Sequence, residues 1–218
     1  MRNTGYSAKL LKMALIGTVG FFLSFGFAIA QEGESNKKQL DVEGAQNAVP
    51  ISELPEGSPQ AKALKKEIDT NFDFMTSKAI SKAGELLEDY GKFYPFGVAV
   101  GPEGKMNFAW TVSNDKKNSK IDPRLALAAL RKTLAANATA KRLLATAIVY
   151  EYARTDDDGN IIGKQVNVEL EYVTGAAKVR AAPFKILDDG SVKFMGMGEQ
   201  EMESRVFSEL LSKMEGVE

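Results

Sequence analysis

Alternating apolar and polar positions dominate the second half of the chain. Val166, Val168, Leu170 and Tyr172 alternate with Gln165, Asn167, Glu169 and Glu171, the period-two signature of a half-buried strand. A two-residue turn at Thr174 and Gly175 would set Glu171 opposite Lys178, Glu169 opposite Arg180 and Leu170 opposite Val179. Those charge pairs would pin the register of the strands rather than form a binding site. Residues 143–150 are apolar on both faces, as an interior strand is. After Ala181-Ala182-Pro183 the apolar phase moves from odd positions (Val179, Ala181) to even ones (Phe184, Ile186), which predicts a bulge or bend there. Asp188-Asp189-Gly190 suits a three-residue hairpin loop, with Ile186 opposite Val192 and Phe184 opposite Phe194.

Three-and-four spacing appears upstream. Ser58 and Pro59 form a helix start, and Ala61, Leu64, Ile68, Phe72, Met75, Ala79, Ala83, Leu86 and Tyr90 follow on one face up to Gly91. Residues 71–73 are the weakest helical section, where a kink or break would fall. Phe96, Val98 and Val100 then alternate, as do Met106, Phe108, Trp110 and Val112. A three-residue loop at Pro102-Glu103-Gly104 puts both sets on one face and Phe96 opposite Trp110, whereas a two-residue turn would separate them. Residues 113–121, with Lys116, Lys117 and Lys120, read as a solvated loop. Asp122 and Pro123 cap a second helix whose buried side carries Leu127, Leu130 and Leu134. A last helix is predicted over residues 200–214, from Met202, Val206, Leu210 and Met214. The fold class is α+β: a central antiparallel sheet of about five strands flanked by helices, in the order α-β-β-α-β-β-β-α.

The first thirty residues stand apart. Arg2, Lys9 and Lys12 precede an apolar run from Met13, and Ala28-Ile29-Ala30 matches a small-x-small cleavage pattern. A secretory signal peptide over residues 1–30, cut between Ala30 and Gln31, is the expectation. The alternative is an uncleaved anchor, the one route by which this chain would meet a membrane. Residues 31–57 are polar and rich in Gly, Ser, Asn, Lys and Pro, and read as a flexible tether to a single domain over residues 58–218.

Composition narrows the chemistry. The chain has 28 basic and 29 acidic residues, and loss of Arg2, Lys9 and Lys12 leaves 25 against 29, a net charge of −4. That balance argues against nucleic acid as a partner. With neither cysteine nor histidine, the chain lacks thiol and imidazole catalysis and the usual soft-metal ligands. A fold of this kind outside the cytoplasm relies on its core rather than on disulfides.

Candidate sites follow from residue type and spacing. Asp156-Asp157-Asp158-Gly159-Asn160 invites a calcium reading, yet Arg154 and Gln165 would occupy the first and closing ligand positions, so a hairpin loop is expected. Glu85, Glu88 and Asp89, and Glu199, Glu201 and Glu203, are acidic groups near predicted helix ends. The second group reads as helix-dipole complement rather than an acid–base pair. No cofactor-binding, catalytic or metal-ligating set emerges. The densest aromatic group is Tyr90, Phe93, Tyr94, Phe96, Phe108 and Trp110. Within it Tyr94, Phe96 and Trp110 are the candidate partner-binding residues, and core packing of the same rings against the first helix is the competing reading.

The predicted element order, over roughly residues 58–214, resembles profilin-like and roadblock-like domains. The run Phe93-Tyr94-Pro95-Phe96-Gly97-Val98-Ala99 is similar to the strand opening of a group of small uncharacterised bacterial proteins. The first resemblance implies an adaptor or a dimer, and neither carries an activity. Together these readings predict an exported, periplasmic or secreted, non-enzymatic protein. It would work by protein–protein contact or self-association, as an inhibitor or adaptor. The alternative is a small-ligand sensor or carrier with a pocket between sheet and helices.

Overall fold

The computed structural model describes residues 50–112 and 120–214, so the segment with Ala30 and Gln31 and most of the 113–121 loop lie outside the described residues. Of the tether, residues 50–57 are described and hold a short 3-10 turn, Ile51–Glu53. The elements are α1 (Pro59–Tyr90), β1 (Phe96–Val100), β2 (Met106–Trp110), α2 (Pro123–Thr139), β3 (Ala145–Thr155), β4 (Ile161–Tyr172), β5 (Ala177–Ile186), β6 (Val192–Phe194), β7 (Gly198–Glu201) and α3 (Ser208–Met214). All seven strands join one antiparallel sheet in the order β2-β1-β3-β4-β5-β6, with β7 also on β5. The class is α+β as expected, with seven strands where about five were read.

Helix α1 is set by its ends and its stripe. The Ser58 hydroxyl accepts from the Ala61 N–H at 3.1 Å, and Gly91, at φ 70°, closes the other end. The 32 residues between run unbroken through 71–73. Ile68, Phe72, Met75, Ala79, Ala83 and Leu87 are buried at three- and four-residue steps against one face of the sheet. Phe96, Val98, Val149, Val168, Leu170 and Phe184 meet them there. Helix α2 covers the other face. Gly97 makes that approach possible, since a β-carbon there would lie 3.3 Å from Leu134 Cδ1 and 3.4 Å from Leu130 Cδ1.

Two hairpins match their sequence patterns. Phe96 faces Trp110 across the Pro102-Glu103-Gly104 loop. Phe184 faces Phe194 and Ile186 faces Val192 across a loop with Gly190 at φ 85°. Residues 156–160 form the β3–β4 hairpin loop, closed by the Asp156 carboxylate on the backbone N–H groups of Asp158 and Asn160.

Three expectations are corrected. The β4–β5 loop has three residues, 173–175, because the Tyr172 N–H donates to Ala176 O and the Gly175 N–H to Tyr172 O, with Gly175 at φ 93°. The extra residue sets Glu169 opposite Val179, Leu170 opposite Lys178 and Glu171 opposite Ala177. Acids and bases thus lie on opposite faces. β5 pairs with β4 continuously from Ala177 to Phe184, so no bulge interrupts it. Its α1-facing positions are even throughout, and the apparent phase change arose because Lys178 and Arg180 occupy two of them. Finally, the helix expected over residues 200–214 begins only at Ser208, and residues 200–201 end the strand β7 instead. β6 leaves the first half of β5 uncovered, and pairing there satisfies backbone groups that a helix would leave open.

The core location of Phe96, fully buried among Phe93, Phe108 and Trp110, makes a direct test. Phe96→Ala should cost about 3–5 kcal/mol in equilibrium denaturation. Leu125→Ala, at a side chain 70% exposed on α2, should stay within about 0.5 kcal/mol.

Candidate functional site

The three residues singled out from sequence fall on neighbouring elements but differ in access. Phe96 and Tyr94 are buried, while Trp110 is partly exposed on β2, the strand at one edge of the sheet. The Phe96 ring lies 4.9 Å from the Trp110 ring and 5.9 Å from that of Phe108, centroid to centroid. Phe96 is therefore the inner support, and Trp110, Phe108 and Met106 are the members with surface. Met106 and Phe108 stand in the sequence pattern but not among its partner-binding candidates, because an apolar strand residue looks the same whether its strand is central or at an edge.

The β1–β2 hairpin determines what this edge offers. The Gly101 N–H bonds to Lys105 O at 3.0 Å, making those two a hydrogen-bonded pair. Antiparallel pairs alternate, so Met106, Phe108 and Trp110 fall at non-bonded positions and direct their backbone N–H and C=O groups outward. Among the described residues no strand takes up those groups. The strand itself, Met-Asn-Phe-Ala-Trp, carries no charge and no proline.

The carboxylates with the most elaborate surroundings were read from sequence only as register pins. Glu169 is buried under α2, where Arg131 binds both its oxygens at 2.7 and 2.8 Å. The Tyr150 hydroxyl donates to it at 2.9 Å, and Arg205 reaches it at 3.2 Å. Burial, together with the Glu169 carboxylate, raises the pKa of Tyr150. Glu171 is more deeply buried, and its Oε2 accepts from the Ser204 hydroxyl at 2.6 Å and from the N–H groups of Arg205 and Val206 at 2.9 and 2.8 Å. This carboxylate holds the chain as it enters α3. The cleft described below lies across the sheet from both side chains.

On the α1 face, Lys178 and Arg180 are bound from two sides. Lys178 meets Asp69 at 3.3 Å and Glu199 at 3.0 Å. Arg180 meets Asp73 and Glu199, each at 2.7 Å, and donates to the Thr76 hydroxyl. Burial disfavours both charges, yet the neighbouring carboxylates prevail and hold both pKa values above their ordinary ones. Glu199, assigned from sequence to a helix start, thus works in β7 as the clasp between that strand and β5.

A cleft of about 510 Å³ opens between α1 and β6. Its apolar lining includes Ile80, Phe194 and Met197, and Glu85 and Glu88 are its charged residues. Among the described residues no three Asp or Glu side chains cluster closely enough to hold a metal ion, and no helix is long and apolar enough to cross a membrane. Comparison of the chain with protein-family models, curated proteins and solved structures finds no match.

The Glu199 clasp predicts an acid-side effect. Hydrogen bonds from Lys178 and then Arg180 hold the Glu199 carboxyl below its ordinary 4.5. A lowered folded value means that its contribution is complete above that pH and is lost as pH falls through the folded value. Glu199→Gln should therefore lower the melting temperature at pH 7. The gap to wild type should narrow steadily as thermal melts are taken below pH 4.5.

Proposed function

We propose that the chain is an exported, non-enzymatic module that works through protein–protein contact, of the adaptor or inhibitor kind, and that contact forms along the outer edge of β2. The observation carrying this reading is an uncharged, proline-free edge strand with outward backbone groups beside the partly exposed Met106, Phe108 and Trp110. Edge strands that are not meant to pair are usually blunted by charge, proline or a bulge. Strand addition draws affinity from main-chain hydrogen bonds and specificity from alternate side chains, and this edge supplies both. Export rests on the Arg2/Lys9/Lys12 segment, the apolar run after it and Ala28-Ile29-Ala30. A small-ligand carrier has less support, because the cleft at α1 lies open to solvent instead of enclosing a ligand.

Two experiments test the proposal. A photo-crosslinking residue in place of the exposed Lys105 should give a discrete polypeptide adduct in the host cell. Asn107→Lys, which puts a charge on the edge without touching Phe96, should abolish that adduct while leaving the circular dichroism spectrum intact. No adduct, or one indifferent to Asn107→Lys, would overturn the β2 assignment. N-terminal sequencing of the exported product should begin at Gln31, and intact Met1 in a cytosolic fraction would contradict export.

A further inference from the structure

The cleft between α1 and β6 lies near the opposite edge of the sheet from β2 and is a separate surface. Its floor depends on one small residue. A β-carbon at Gly84 would sit 3.5 Å from the Phe194 ring, so the bare backbone lets that ring lie close against the helix. Ile80 and Met197 extend the apolar surface, and Met197 is 49% exposed. A flexible thioether at such a lip can shape itself to different side chains.

Charge selects the occupant. The charged side chains lining the cleft, Glu85 and Glu88, are both acidic and one helical turn apart. Glu88 Oε1 accepts only at 3.2 Å from the Val192 N–H, and the Glu85 side chain is more than half exposed even with Lys82 at 3.0 Å. A neutral apolar ligand would strip water from these carboxylates without replacing it, and an anionic one would add repulsion. A cation restores the lost interactions, and Lys or Arg stems bring apolar carbon with them. We propose that the cleft receives a short basic, apolar segment of a partner polypeptide, with aliphatic side chains on Ile80, Phe194 and Met197 and Lys or Arg at Glu85 and Glu88. A volume of about 510 Å³ open to solvent suits a peptide segment better than a small cation. This assignment does not depend on the β2 edge.

The test is fluorescence anisotropy on the full chain from Gln31. The probes are two labelled peptides of about twelve residues with the same apolar pattern, one alternating Lys with Leu and one alternating Glu with Leu. The Lys/Leu peptide should bind saturably, and the Glu/Leu peptide should not. Glu85→Lys with Glu88→Lys should weaken binding about tenfold or more, and Glu85→Lys alone by a smaller factor. Glu53→Lys with Glu56→Lys makes the same change in net charge at exposed positions away from the cleft and should leave binding within about twofold. Equal loss in the two double variants would reduce the effect to net charge and overturn the proposal. Binding of the Glu/Leu peptide, or of neither peptide, would overturn it as well. Circular dichroism on each variant separates loss of binding from loss of fold.

Discussion

The architecture depends on the three-residue loop between β4 and β5. It sets Glu169 and Glu171 on one face of the sheet and Lys178 and Arg180 on the other. Each face then carries charges in largely buried positions, and each needs opposite charge or hydrogen-bond donors from the layer above. Arg131 brings α2 to Glu169, and backbone N–H groups bring the chain entering α3 to Glu171. Asp69 and Asp73 bring α1 to Lys178 and Arg180. Removing one member of such a set leaves a buried charge without its counterpart, which is far more costly than losing a surface pair. A slip of one residue would reverse every strand-borne partner at once, so one turn couples the placement of all three helices.

That coupling marks where the sequence was legible and where it was not. Hairpins with strong loop chemistry could be read directly, as at Pro102-Glu103-Gly104 and Asp188-Asp189-Gly190, because loop length there was tied to the pairing of large apolar residues. At Thr174-Gly175 the alternating pattern on both strands fitted a two-residue turn, and the apparent charge pairs reinforced it. In the fold Glu169, Lys178 and Arg180 find helix partners about forty to more than a hundred positions away in the chain, which no local pattern reveals. β7 was hidden for a related reason. Met202, Val206 and Leu210 keep a helical step, yet Gly198–Glu201 is claimed by the open half of β5. Of the candidate surface, Trp110 was legible as the chain's one tryptophan, in phase with Phe108. That β2 would be an edge was not, since strand order is a property of the whole sheet.

The two edges of this sheet are managed differently. On the β5 side, β6 and β7 cover successive halves of the strand, and Pro183, which has no N–H to offer, falls at the gap between them. β7 carries Glu199 and Glu201, and Lys193 stands in β6, so this edge is short and charged. Among the described residues β2 has none of these devices. An asymmetry of this kind is the physical basis for proposing partner contact at β2 rather than at the far edge.

Helix α1 shows how one side chain type takes two roles. Its first half presents Asp69 and Asp73 toward β5, where Lys178 and Arg180 meet them. Three turns on, Glu85 and Glu88 stand over Val192 and Phe194, and β6 offers them a backbone N–H but no cation. The helix is continuous across both halves, so the difference does not lie in its own conformation. It lies in the strand below: β5 ends its basic run at Arg180 and continues with Ala181, Ala182 and Pro183, and the remaining basic residues, Lys185 and Lys193, face each other on the opposite side of the sheet. The acidic face of α1 is thus met by β5 along its first half, whereas along its second Glu85 meets Lys82 of the same helix and Glu88 meets a backbone N–H of β6.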